Sequence, residues 1–471
     1  DLGSEYLAQI GRVGAEDIRR VARDYLKDSC VTVTSLNPRG SLARLPRAAT
    51  EPGPRRIEAL VLPNGLRVLV CEDRKLPLVT AVAVFRGGLL AETPESNGIT
   101  ALAARTLTKG TATRDSETLH AEIEQVGGQI RADSGSNSFS VTVDVMKPDL
   151  RLGMELLADV LLRASFPPDE IDREKEDQIA ALKAEAEQIT IMARNALRRA
   201  IFGAHPYGLR PNGTEESVAA ITRERLAAFR DGCVTARNGV LAVSGDVSAD
   251  EVRRLAEELL GALPSGELLM SAPPCAAPLA QPVEQVLHEP KQQAVLMAGF
   301  LGADALSPDR VALELIETAS SDMASRFFQR IREELGLAYF VGASQMMGFA
   351  PGLFTFYLGT DPAKVDLVRA SFDQEIALLA RDGLSDAELA RAKKKLIGGE
   401  AIRNQSLDAF AHVVALDELY GLGAGHHALR AAEIEAVTAD QVRAVARKYF
   451  LEPCRATVLV TPAQPNTPQH G

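Results

Sequence analysis

Metal and nucleophile chemistry in proteins is carried mainly by histidine, cysteine and paired carboxylates, and their spacing here argues against both. The seven histidines are His120, His205, His288, His412, His426, His427 and His470. No two stand four apart, the spacing that turns both rings of a helix toward one shared ion. His426 and His427 are adjacent within a glycine-rich stretch, Gly421–Leu429 (GLGAGHHAL), which reads as a loop with no acid following before Glu433. His205 lies in HPYG and reads as a structural turn. The five cysteines (Cys30, Cys71, Cys233, Cys275, Cys454) are scattered, odd in number and without a CxxC. That pattern argues against a disulfide framework and against a cysteine-zinc centre.

The elements that must position any site follow from repetition along the chain. Ala15–Cys30 (AEDIRRVARDYLKDSC) aligns without a gap on Ala439–Cys454 (ADQVRAVARKYFLEPC), 424 residues on (439 − 15). Each reads as an amphipathic helix running into a β-rich stretch, Val31–Ser35 and Ala456–Thr461. Thr222–Cys233 followed by Gly239–Ser244 is a weaker third copy. Glu170, Arg173 and Lys175 recur as Glu388, Arg391 and Lys393 at a second offset, 218 (388 − 170). The repeat reading gives two homologous modules, 55–270 and 280–463, with 1–50 the tail of a preceding module and its linker. The competing reading is that amphipathic helices resemble one another. Linkers fall at Arg47–Arg56 and Ser265–Gln281, both proline-bearing.

Within the first module, Asn64-Gly65 between alternating apolar runs predicts a hairpin, and Val79–Phe85 a buried strand. Helices are predicted at Ile99–Lys109, Leu150–Arg163, Asp169–Glu187 and Val218–Arg230. Strands and helices mixed with hairpins make α+β the fold class, each module a mixed antiparallel sheet plus helices. The chain has 471 residues, enough for several cores, and 46% apolar with 24% charged residues is the composition of a globular protein. A net charge of −11, from 63 acids against 52 bases, argues against nucleic acid as a partner. No apolar run reaches the roughly 18 residues of a membrane span. The start at Asp1, without a methionine or signal peptide, reads as processed or excised, and the compartment is left open.

One segment carries a family pattern. Glu92–Thr111 (ETPESNGITALAARTLTKGT) resembles the signature of the pitrilysin/insulinase family of zinc metallopeptidases, E-T-x-E-x-N-G-x-x-His-x-x-Glu-His-x-x-x-K-G-T. Glu92, Thr93, Asn97, Gly98, Lys109, Gly110 and Thr111 set the register. Further similarity lies in Phe202–Ser217, Asn238–Asp246 and Ser325–Ala343, so the resemblance covers nearly the whole chain. In that signature two histidines share a zinc, the glutamate between them activates water, and a distant glutamate completes the ligands. Here the histidine positions hold Ala101 and Arg105, the base position Ala104, and the distal position, about 76 residues beyond, Ala181. Glu174 matches a further family acid. The resemblance therefore implies a chain that holds no metal and is inactive alone.

In the second module, Arg332 and Tyr339, seven apart in RIREELGLAYF, match an Arg/Tyr pair with which the family's non-catalytic half holds the substrate backbone. A helix over Met323–Leu335, capped at Gly336, and a strand from about Leu337 would present them. The bland reading is a surface arginine with a tyrosine packed in the core. Thr318–Ser325 (TASSDMAS) has no glycine, which argues against a flexible glycine-rich substrate loop. The resemblance implies half of a clamshell peptidase that closes the chamber and binds peptide for a zinc-bearing homologous half or subunit. The alternative is a purely structural homologue like the core subunits of the respiratory cytochrome complex.

Overall fold

The computed structural model describes residues 12–26, 55–269, 274–451 and 454–462. Two compact units are present, Asp1–Gly53 and Pro54–Gly471. In the first, the amphipathic pattern forms a helix, Ala15–Tyr25, where the Gly14 N–H donates to the Asp17 carboxylate at 3.1 Å. The strand expected at Val31–Ser35 lies outside the described residues.

Among its described residues, the second unit contains eleven strands in two sheets. The first holds β1 (Ile57–Val61), β2 (Arg67–Glu72), β3 (Leu78–Arg86), β4 (Gln129–Ser134), β5 (Ser138–Met146) and β6 (Gly239–Gly245), ordered β1-β2-β6-β3-β5-β4. The second holds β7 (Val283–His288), β8 (Ala294–Leu301), β9 (Phe340–Met346), β10 (Leu353–Thr360) and β11 (Ala456–Thr461), ordered β7-β11-β8-β10-β9. Strand for strand, β2-β6-β3-β5-β4 is matched by β7-β11-β8-β10-β9. In both, the last strand in sequence enters the middle, parallel to the first of its set and antiparallel to the next. The class is α+β.

The Asn64-Gly65 turn forms as its residues dictate. Gly65 sits at φ +96°, the Leu66 N–H donates to Asn64 Oδ1 at 3.1 Å, and Ile57 pairs with Cys71 across the hairpin. β3 is apolar along most of its length because both its faces are covered. Val79, Ala81, Ala83 and Phe85 face a core built with helices Ile99–Leu107 and Leu150–Arg163. Val82 and Val84 face Phe410, Val414, Ala415 and Leu419 of helix Leu407–Tyr420. The second sheet mirrors this. Leu296, Ala298 and Phe300 of β8 face helices of their own half, while Val295 and Met297 meet Ala193, Leu197 and Ile201 of helix Ile189–Phe202. Each half thus lends one helix to the far face of the other's sheet.

Two expected elements come out differently. The single helix predicted over Val218–Arg230 is two, Glu215–Ala219 and Arg223–Cys233, because Thr214 and Thr222 each cap a new start. The helix predicted from Met323 begins only at Arg326, and Phe328–Glu334 winds as π-helix. Gly336 ends it at φ +61°, the left-handed position expected of it. Among the described residues no helix is long and apolar enough to cross a membrane.

Candidate functional site

Helix Ile99–Leu107 is built around a buried carboxylate. Glu92 accepts from Asn97 Nδ2 at 2.9 Å, from the Gly98 N–H at 2.7 Å and from the Thr100 N–H at 3.0 Å, satisfying orphan donors of the first turn. Burial pushes the Glu92 carboxyl above its usual range, against the pull of those donors. Gly98 stands at φ +90°, and a Cβ there would lie 2.8 Å from the Asn212 carbonyl oxygen. Downstream, Thr111 Oγ1 donates to the fully buried Asp159 at 2.8 Å. The signature residues present in this chain, Glu92, Asn97, Gly98 and Thr111 among them, are therefore frame residues that seat the helix.

The positions assigned to zinc chemistry are a different matter. Ala101 and Ala104 are buried, and Ala181 is half-buried on helix Pro168–Ala186. Arg105 is the one exposed residue of its helix; its Nη1 lies 3.5 Å from Glu174, and Lys109 Nζ lies 2.9 Å from the other oxygen of the same carboxylate. Gln178, one turn beyond Glu174, donates from Nε2 to the Gly98 and Asn212 carbonyls at 3.2 and 2.8 Å, tying the two helices together. Alanine has no lone pair and a guanidinium gives up no proton to bind a cation. Two cations already share the one carboxylate at this spot. The residues present do not fit a zinc ion, and among the described residues no cluster of three or more His, Cys, Asp or Glu could hold a metal. What remains is a partly exposed guanidinium and ammonium, able to donate to carbonyls or anions but not to activate water.

Arg332 lies in the last turn of the π-helix, with its guanidinium 4.8 Å from the centre of the Phe328 ring and 3.9 Å from Glu333. Tyr339 falls one residue before β9 rather than on it, its N–H donating to the Gly359 carbonyl at 2.8 Å. The residue is 51% exposed, so the core-packed reading of this tyrosine is not what the structure has. Both side chains are open to solvent, and Gly336 makes the turn between them.

His426 is the site residue that sequence reasoning missed. The supposed loop is the start of helix His426–Ala436, and His426 is buried between two acids, with Nδ1 3.0 Å from Asp417 and Nε2 3.1 Å from Glu433. Arg310 reaches both His426 and Glu433 at 3.1 Å. Only Glu433 was within view of a local scan, because Asp417 and Arg310 come from other helices. His205 is held by the Tyr207 N–H on Nδ1 at 3.1 Å, as a structural turn requires.

Two family models match, "Insulinase (Peptidase family M16)" over residues 67–213 and "Peptidase M16 inactive domain" over residues 220–396. A protein of Mycobacterium leprae named as an uncharacterized zinc protease is 30% identical over 408 residues, 84% of this chain and 90% of that protein. One of Bacillus subtilis with the same description is 26% identical over 405 residues, 85% of this chain and 97% of the relative. Among solved structures, a peptidase M16 inactive domain from Pseudomonas fluorescens aligns with a TM-score of 0.82 at 23% identity, covering 88% of this chain and all of the other. A protease from Helicobacter pylori aligns at 0.79 and 18%, covering 87% of this chain. These two share its fold. The chain belongs to the insulinase family of peptidases, peptidase family M16.

Proposed function

We propose that this chain is a non-catalytic member of its family that holds no zinc, closes a peptidase chamber and presents peptide to a zinc-bearing homologous half or subunit. One observation carries the reading. The frame of the signature helix is intact down to its buried cap, while the positions assigned to two zinc ligands, the base and the distal ligand hold Ala101, Arg105, Ala104 and Ala181. A chain that had lost its role altogether would have no reason to retain solvent-facing Arg332 and Tyr339 at the spacing of a substrate-holding pair. Their exposure supports a part in gripping a peptide backbone, the arginine and the phenol both acting as donors to carbonyl oxygens.

The test uses the purified chain, alone and mixed with a zinc-bearing family member from the same cell. Alone, it should contain no stoichiometric zinc by mass spectrometry and cleave no fluorogenic peptide. Mixed, it should form a complex on size exclusion and raise chelator-sensitive cleavage. Stoichiometric zinc with cleavage by the chain alone would overturn the first half of the reading. A complex whose cleavage is indifferent to this chain would make it a scaffold, as in the respiratory complex.

A further inference from the structure

Helix Ile189–Phe202 turns Ala193, Leu197 and Ile201 onto β8 and β11, and its next stripe, Thr190, Arg194 and Arg198, overhangs the β9–β10 side of the same sheet. Between this stripe and the strands is a cavity of about 640 Å³. Its polar wall includes Arg194, Arg198, Ser344 and Thr355, its apolar wall Met297, Phe340 and Leu353, and no carboxylate among the described residues lines it. Arg198 is only 7% exposed. Its Nε donates to the Tyr207 carbonyl at 2.9 Å, but Nη2 is buried with no partner among the described residues. Burial pulls this guanidinium down to about 10, and the nearby Arg194 adds to the fall.

The other half of the molecule shows what a satisfied version looks like. At the 218-residue offset, Asp408 stands where Thr190 does (408 − 190) and His412 where Arg194 does (412 − 194). There the helix carries the acid and the edge strand β4 carries the base, with Arg131 Nη2 3.3 Å from Asp408. On the second sheet the helix carries two bases and the strands supply no acid. An arginine cannot shed its charge, and a buried unpaired cation is costly, so a bound anion would supply the counter-charge that the described residues do not. The volume lies within the range of small-molecule sites, and the walls combine an apolar body with a cationic end.

We propose that this cavity binds a small organic anion, a carboxylate or phosphate on an apolar body, with its head clamped by Arg194 and Arg198. The site stands apart from the peptide-presenting role and does not depend on it. Isothermal titration of the full chain with octanoate, octyl phosphate and octanol tests it, the two anions distinguishing the preferred head. At least one anion should bind saturably at one per chain, and octanol about tenfold or more weaker, as expected when a charge-assisted hydrogen bond is lost. Arg194 is exposed, so Arg194→Gln should fold normally and weaken anion binding by about tenfold. Arg198→Met should abolish binding; it removes an uncompensated cation but also leaves the Tyr207 carbonyl without its donor, so the melting temperature is the folding control. Absence of saturable binding, equal binding of octanol, or an unchanged affinity in Arg194→Gln would overturn the proposal.

Discussion

At the scale of single residues, the strongest local chemistry sits around His426. Its hydrogen bond with Asp417 raises its pKa above 6.5, helped by the Asp417 and Glu433 charges and opposed by burial and Arg310. A histidine whose folded pKa is raised contributes stability that is fully present below its unfolded value and lost as pH rises through the folded one. The three helices joined here should therefore loosen on the alkaline side. Urea midpoints measured between about pH 6 and 9 should fall with pH, and His426→Asn should flatten that slope. A slope unchanged in the variant would assign the pH response elsewhere. Tyr339 makes a second prediction, resting on the proposed role in presenting peptide. Tyr339→Phe removes a hydroxyl from an exposed side chain, so folding should survive while turnover by the reconstituted assembly falls by about 10²–10³-fold, the usual loss for one oxyanion-type donor. Arg332→Ala should act similarly and also raise KM. Circular dichroism controls for folding, and unchanged kcat and KM in Tyr339→Phe would leave the pair without a role.

At the scale of elements, the buried Glu92 decides whether helix Ile99–Leu107 starts where it does. Glu92→Ala strands the Gly98 and Thr100 N–H groups without an acceptor and leaves the Asn97 amide only its bond to the Arg210 carbonyl, which should cost about 2–4 kcal/mol in chemical unfolding. A loss under about 0.5 kcal/mol, typical of an indifferent surface change, would show that other acceptors replace the carboxylate. This frame was legible in the sequence because its cues are local. A helix of nine residues, an Asn-Gly turn and an apolar strand each announce themselves within a few positions. Local patterns did not reveal the break in the Val218–Arg230 helix, where two threonine caps outweigh continuous amphipathicity. Nor did they reveal the π-helical winding of Phe328–Glu334, for which the structure offers no physical cause. The Arg105–Glu174–Lys109 group was half legible. The register named Arg105, Lys109 and Glu174 separately, but only the folded chain shows both cations on one carboxylate.

At the scale of the whole Pro54–Gly471 unit, the exchanged helices matter most. Leu407–Tyr420 covers β3 and β6 of the first sheet, and Ile189–Phe202 covers β8 and β11 of the second. The contacts are polar as well as apolar. Arg67 pairs with Glu418 at 3.2 Å, Arg86 Nη2 reaches the Leu419 carbonyl at 3.2 Å, and the Arg86 guanidinium lies 4.2 Å from the centre of the Phe349 ring. No pattern within either half predicts this, because the partners lie far apart along the chain, 351 residues for Arg67 and Glu418 and 333 for Arg86 and Leu419. Cutting the chain between the halves therefore exposes on each a sheet face meant to be dry. Residues 55–269 expressed alone should bind a hydrophobic dye and aggregate, since a bare apolar face of this kind is an association surface. Co-expression with residues 274–462 should restore a one-to-one complex on size exclusion that unfolds in a single transition. Val414→Asp in the second piece, placing a charge between β3 and β6, should prevent that recovery, because an unpaired buried carboxylate costs more than the contact it replaces gives. If the first piece alone is a monomer that melts as cooperatively as the intact chain, the exchanged helix does not hold the two sheets together.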